Sequence, residues 1–170
     1  MNTFSVREKS PGMNSKDLIQ QLHLQPHPEG GFYKETYRSR EMMSLPDGKI
    51  RHVSTAIYYL LENENKSMLH RLQSDELWFF HHGQPLEIVF IQDGQLNRII
   101  LGNAFEKGEI PQTRISANTW LAAKIKDGSG YSLVSCTVAP GFDFADFQLA
   151  KKDELIQQFP HLKETIEEFA

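Results

Sequence analysis

HRLQSDELWFFHHGQPLEIVFIQDG, residues His70 to Gly94, places acid–base side chains in an apolar, strand-like frame. His70 is followed six positions later by Glu76, and the run Leu77-Trp78-Phe79-Phe80 leads to the pair His81-His82 and to Gly83. A second apolar segment, Leu86 to Ile91, closes on Gln92-Asp93-Gly94-Gln95, and Asp-Gly is a strong hairpin signal. The body of this hairpin is too apolar to face water, so its polar groups are expected to point into an enclosed interior. Strict alternation puts Trp78, Phe80 and His82 on the face of Glu76, and Leu77, Phe79 and His81 on the other.

Outward from this stretch the same β pattern continues. Phe32 to Ser39 alternates, with Tyr33, Glu35 and Tyr37 on one face and Lys34, Thr36 and Arg38 on the other. His52 to Leu61 is apolar on both faces, as expected of a strand buried twice or lying in a subunit interface. Ser67 to Leu72 enters the opening stretch, and Leu96 to Leu101 pairs with Leu86 to Ile91 across the Asp-Gly turn. Gly102 to Pro111 reads as a charged loop. Thr119 to Lys126 and Tyr131 to Val138 read as a further hairpin around Asp127-Gly128-Ser129-Gly130, and Phe144 to Leu149 as a last strand. Helices are expected only at the ends: Lys16 to His23, capped by Ser15 and stopped by Pro26 and Pro28, then Asp153 to Phe159 and Leu162 to Phe169. About nine short, regularly spaced strands predict an all-β closed barrel or jelly roll with short terminal helices. Residues 1–14 are expected to form a flexible arm, and residues 15–170 a single domain that includes the C-terminal helices.

The chain has 170 residues, a length that suits one domain with a substantial core. A net charge of -4 and the lack of a Lys/Arg cluster argue against nucleic acid or an anionic membrane as partner. No segment approaches the roughly 18 apolar residues of a membrane span. The single cysteine, Cys136, precludes an intramolecular disulfide, and the N-terminus has no apolar signal core, so a cytoplasmic location is expected.

His70, five residues, Glu76, six residues and Gly83 reproduce part of the first motif of the cupin superfamily. HPEGGFYKETYRS (His27 to Ser39), SDELWFFHHGQPLEI (Ser74 to Ile88) and CTVAPGFDFADFQL (Cys136 to Leu149) are more specific. Together they resemble the fifth cupin subfamily, small proteins without an assigned biochemical function. The resemblance spans roughly residues 15 to 150. It implies a double-stranded β-helix, commonly a homodimer, related in shape to sugar-nucleotide epimerases. It also implies a metal question, because metal-binding cupins carry His-x-His and a later histidine. In this chain Leu72 replaces the second histidine, and Ser116 to Leu121 lacks the proline, the glycine and the last histidine of the second motif. Of the four usual ligands His70 and Glu76 remain, too few to hold a divalent ion firmly. A metal-free pocket with no cofactor is therefore expected; if a metal binds, His70 and Glu76 are its ligands.

A carboxylate beside an imidazole can also orient it as a base near neutral pH. Epimerases related to cupins oppose such a histidine with a tyrosine acid, which the resemblance offers among Tyr33, Tyr37, Tyr58 and Tyr59. The catalytic candidates are His70 and Glu76. The ligand-binding candidates are His70, Glu76, Trp78, His81, Tyr33, Glu35 and Tyr59, with Trp78 as an aromatic wall. The resemblance favours His81 of the histidine pair, whereas parity favours His82. Arg71, beside His70, is expected in a structural ion pair on the opposite side, Asp143 as a turn cap, and Glu29 as a candidate tie between its loop and the barrel rim. Cys136 reads as an inert thiol. The expected function is binding of a small polar molecule, sugar- or nucleotide-like. The alternatives are an isomerase or epimerase, or a divergent metal-dependent cupin.

Overall fold

The computed structural model describes residues 13–170, so the expected arm lies, but for Met13 and Asn14, outside the described residues. Helix α1 is Ser15–Gln21, and its N-cap is Asn14 rather than Ser15. Asn14 Oδ1 accepts from the Asp17 N–H at 3.1 Å, while Asp17 Oδ2 accepts from the Asn14 N–H at 3.2 Å. This reciprocal capping box satisfies donors that the first helical turn leaves free.

The strands follow in order: β1 Gln25–Pro26, β2 Phe32–Arg38, β3 Met42–Ser44, β4 Ile50–His52, β5 Thr55–Glu62, β6 Lys66–Leu72 and β7 Asp75–Gly83. Then come β8 Leu86–Gln92, β9 Gln95–Leu101, β10 Gln112–Ile115, β11 Trp120–Ile125, β12 Tyr131–Ala139 and β13 Phe147–Leu149. Two short helices, α2 Lys152–Gln158 and α3 Lys163–Phe169, close the chain. One sheet has the order β1-β2-β5-β12-β7-β10, the second β13-β6-β11-β8-β9, and β3-β4 is a separate two-stranded ribbon. All pairings between these strands are antiparallel. The two facing sheets are the jelly roll that the patterning predicts.

Two expectations change. The segments on either side of Asp127 to Gly130 do not form a hairpin: β11 pairs with β6 and β8, whereas β12 pairs with β5 and β7. The turn carries the chain from one sheet to the other, and a local turn signal cannot tell that crossing from a hairpin. The last strand is also shorter than expected: Phe144–Asp146 is a single 3-10 turn, and only Phe147–Leu149, β13, pairs with β6, while the loop Gly102 to Pro111 stands and is followed by the edge strand β10, paired with β7.

Between the sheets, Leu61, Trp78, Leu86, Ile88, Leu121 and Ile125 form the main core. The outer face of the second sheet is covered by α2 and α3, where Val89, Ala122, Leu155, Ile166 and Phe169 pack together. On the first sheet, Leu60 and Leu133 meet Leu18 and Leu24 at α1. The two-sided apolar character of β5 is thus met within the chain, with Tyr59 and Leu61 inward and Leu60 outward against α1.

Three β-bulges shift side chains off strict alternation. In β2, Glu35 pairs with Ile57 but Tyr37 with Ala56, so one extra residue is accommodated at Thr36. In β6, His70 pairs with Leu121 and Ser67 with Ala123, which places an extra residue on β6. In β7, Phe80 pairs with Val134 and His82 with Leu133, leaving His81 as the extra residue.

The loop Pro28 to Gly31 enters the barrel between β5 and β6. Gly30 has φ +112°, and a Cβ there would lie 2.1 Å from the Lys66 carbonyl oxygen; Gly31 has φ +69° with the Leu60 carbonyl oxygen at 2.7 Å from such a Cβ. Only glycine allows this approach without displacing a strand backbone. Gly30→Ala is expected to cost more than about 1 kcal/mol of stability in urea unfolding. An unchanged midpoint would show that the loop is not seated against β6.

Candidate functional site

A cavity of about 480 Å³ opens at the end of the barrel where β2, β5, β6, β7 and β12 meet the Phe142–Phe147 segment. His70, Glu76, Tyr33, Glu35 and Tyr59, all singled out from the sequence, line it together with His27 and Glu29. Trp78 stands behind Glu76 instead, 1% exposed and edge-on to Tyr59 at 5.9 Å. His81 lies in the β7 bulge on the outside, exposed and bonded to Ser135 Oγ at 2.8 Å, while His82 is exposed and bonded to the Tyr131 hydroxyl at 2.7 Å. Parity holds for His81, which faces out, and fails for His82, because the bulge at His81 separates it from Phe80; the resemblance that favoured His81 for the pocket is not met. The aromatic wall is made by Tyr33, Phe142, Phe144 and Phe147, and the Phe147 ring lies 5.5 Å from that of His70.

Glu29 was expected at the rim and is found at the floor, 6% exposed. Its Oε1 accepts from the Ser67 hydroxyl at 2.9 Å, and its Oε2 lies 3.3 Å from His70 Nε2 and 3.6 Å from His27 Nδ1. The bulge in β6 makes this possible by turning both Ser67 and His70 inward across an odd spacing. The partner of His70 is therefore Glu29. Glu76 interacts with His70 through charge, while its own Oε2 accepts from the Trp78 indole N–H at 2.9 Å.

The distances look like ion pairs, yet burial disfavours the charged form of every group. Burial pushes the Glu29 carboxyl up to about 7, against the opposing hydrogen bond from Ser67. Burial likewise raises Glu76 to about 7, with the His70 charge opposing and the Glu29 charge adding to the rise. His27 is lowered to about 4 by burial and by neighbouring His70, and burial also lowers His70. The hydrogen bonds agree with neutral rings. His70 Nδ1 is 2.8 Å from the Met68 carbonyl oxygen, which can only accept, so Nδ1 carries the proton and Nε2 presents its lone pair to Glu29. His27 Nδ1 accepts from the Glu29 backbone N–H at 3.3 Å. When Glu29 is protonated, its Oε2 is placed 3.3 Å from His70 Nε2 to donate to that lone pair.

Other groups brace the site from outside. At the rim, Arg38 holds Glu35 through two bonds of 2.9 and 2.7 Å and reaches the Phe142 carbonyl at 3.2 Å. Thr36 takes the bulge position, so Arg38 joins Glu35 on the cavity side and Tyr37 turns out, 54% exposed. Asp146 receives Arg51 through bonds of 2.6 and 2.9 Å, tying the β3-β4 ribbon to the back of the aromatic segment. Asp143 caps that segment by accepting from the Ala145 N–H at 2.8 Å. The ion pair expected for Arg71 is not found among the described residues: it bonds Gln148 Oε1 at 2.9 Å and lies over the Trp120 ring at 4.6 Å. The Cys136 thiol faces the cavity and is pushed well up by burial and the charges of Glu76 and Glu29, which disfavours thiolate.

The floor does not fit a divalent metal. Leu121, directly opposite His70 in the β6-β11 ladder, is 1% exposed, and Leu72 also lines the cavity. His70 Nδ1 is committed to a backbone carbonyl, one Glu76 oxygen to Trp78, and one Glu29 oxygen to Ser67. Among the described residues, no three His, Cys, Asp or Glu side chains converge as a metal-holding group.

Sequence reasoning missed His27 as a floor residue, Glu29 as the partner of His70, and the phenylalanines as a wall. The signal for Glu29 was Pro-Glu-Gly-Gly: two glycines after an acid mark a backbone that approaches another strand closely. The wall residues carry no such mark.

A family model described as Cupin superfamily (DUF985) matches residues 16–150. The uncharacterized protein YML079W of Saccharomyces cerevisiae is 28% identical over 160 residues, covering 85% of this chain and 80% of that protein. A hypothetical protein from Leishmania major is 36% identical, with a TM-score of 0.86 over 93% of this chain and 99% of that one. Protein SO0799 from Shewanella oneidensis is also 36% identical, with a TM-score of 0.86 over 94% and 98% of the two chains.

The Glu29 carboxyl is raised from 4.5 to about 7 on folding, so the folded state binds the extra proton. The stability this contributes is full below about pH 4.5 and is lost as pH rises through about 7. Glu29→Gln has no such loss. Between pH 5 and pH 8 its unfolding free energy is expected to gain about 2 kcal/mol relative to the wild type. A pH-independent difference in chemical unfolding would contradict a buried, protonated Glu29.

Proposed function

For a chain that belongs to the DUF985 family of the cupin superfamily, we propose binding of a small, polar, ring-bearing molecule in the barrel cavity, without a metal. The observation that carries this is a single concave site where aromatic rings flank a buried His–Glu floor. Ligand cavities are commonly of this size, with apolar walls and a few converging polar groups that fix orientation. Sugar- and nucleotide-like molecules have such a ring with polar edges. Incubating the purified protein with a cell metabolite extract, followed by ultrafiltration and mass spectrometry, is expected to recover a retained small molecule. Phe147→Ala and His70→Leu should each lower that recovery at least tenfold. Equal recovery by all three proteins would sink the reading.

A second reading, isomerase or epimerase activity, is favoured by one feature: the His70 Nε2 lone pair faces the cavity floor beside a carboxyl that can hold its proton. His70 would take a proton from a ligand C–H, with Glu29 rather than Glu76 as the near partner. Tyr59 is a poor acid here, because its hydroxyl donates to the Gly30 carbonyl at 2.8 Å and burial raises it well above its ordinary value. Tyr33 is the tyrosine on the accessible wall. Exchange of a retained ligand's C–H proton with deuterated solvent, abolished in His70→Ala, is the expected signature. Unchanged C–H signals after prolonged incubation would leave binding alone.

A further inference from the structure

The hydrogen-bond inventory of the cavity is lopsided, and that narrows what can enter it. At the floor, the donors are spent on the protein. Ser67 donates to Glu29, Trp78 to Glu76, Tyr59 to the Gly30 carbonyl, and His70 Nδ1 to the Met68 carbonyl. At rest a proton on Glu29 sits between its Oε2 and the buried His70 Nε2; once a guest displaces it and the floor carboxyls ionise, what faces inward is mostly acceptor: the Nε2 lone pair of His70, 2% exposed, the second oxygen of Glu76, and Glu29 Oε2. His27 adds a neutral N–H and no charge. The positive groups among the lining residues, Lys34 and Arg38, lie at the rim, where Glu35 and Asp143 balance them and Arg38 is already bonded to Glu35.

A phosphate or carboxylate pushed to this floor would meet lone pairs and buried carboxyls without a compensating cation. A head group with several N–H donors and a positive charge meets the reverse: acceptors at its tip and ring faces along its flank. Phe147, Phe142 and Tyr33 supply those faces, with Phe147 within 6.1 Å of both Phe142 and His27.

We propose that the cavity receives the cationic head of a small organic amine, amidine or guanidine, whose N–H groups are accepted by His70 Nε2, Glu76 and Glu29. This rests on the reading of the cavity as a small-molecule site and specifies which end of the molecule goes in first. Binding of the cation releases protons from the floor, since it favours the ionised form of Glu29 and Glu76, both of which burial keeps largely protonated up to about 7. The other titratable groups facing these two carboxyls are His27 from the loop, Tyr59 from β5, His70 from β6 and Cys136 from β12.

The test compares three probes that share one ring and differ in the head: benzamidine, benzyl alcohol and benzoate. Affinity is measured by calorimetry at pH 8 and pH 5.5, and the site is read from the ring nitrogen shifts of His27 and His70. Benzamidine is expected to bind at least tenfold more tightly than benzyl alcohol at pH 8, with benzoate weaker than both. The benzamidine advantage should shrink at least fivefold at pH 5.5, and again in Glu76→Gln and in Glu29→Gln at pH 8. Benzoate binding as tightly as benzamidine, or an advantage unchanged by pH and by both variants, would overturn the cation assignment while leaving the small-molecule pocket intact. If none of the three probes shifts the His27 or His70 signals, both the assignment and the pocket reading fail.

Discussion

The whole site depends on the burial of one carboxyl group. Glu29 reaches the floor because two glycines let its loop lie against the carbonyls of Lys66 and Leu60, closer than any side chain would allow. Once there, the acid cannot stay ionised cheaply, and the groups around it are arranged for a neutral state. Ser67 donates to one oxygen, and His70 turns a lone pair toward the other. The Met68 carbonyl fixes the tautomer of His70 and so fixes the direction in which the shared proton points. A backbone hydrogen bond two residues away thus decides the chemistry of the floor.

The fold was legible because its signals are local and repeated. Alternation marked β2 and β7, an apolar run marked β8, Asp93-Gly94 marked the β8-β9 turn, and the terminal helices showed apolar spacing. The site was legible in part. His70 and Glu76 could be found by their spacing, and Tyr33, Glu35 and Tyr59 by their strands, and all five line the cavity. Trp78 and His81 do not, for different reasons. Trp78 follows the parity rule and faces inward, but the main core has filled the space around it. His81 was favoured by the resemblance alone and faces out, as alternation had it; His82, which alternation favoured, is turned out because the residue inserted at His81 reverses parity beyond it. The bulges in β2 and β6 had the same effect on Arg38 and Ser67. The bulges in β2 and β6 lie beside this cavity and re-aim side chains there, and periodicity cannot see them.

Leu121 shows how a familiar frame can be turned to other chemistry. It stands across the ladder from His70, at the place where a metal-binding cupin would set a histidine. An isobutyl group offers no donor atom, so His70 has no second imidazole across the ladder to complete a metal-holding set.

The clasp between Arg51 and Asp146 bears on how a guest is received. Asp146 lies between Phe144 and Phe147, and Arg51 grips both its oxygens from the β3-β4 ribbon, 95 residues away in the chain. The Asp146 carbonyl also accepts from the Gln73 N–H at 3.2 Å. The aromatic side of the cavity is therefore held by charges outside it, before anything enters. A guest of the kind proposed would not have to order a loose flap around itself. That preorganisation shifts the entropy cost from binding to folding, and it favours a small, rigid guest over one that needs the wall to adapt.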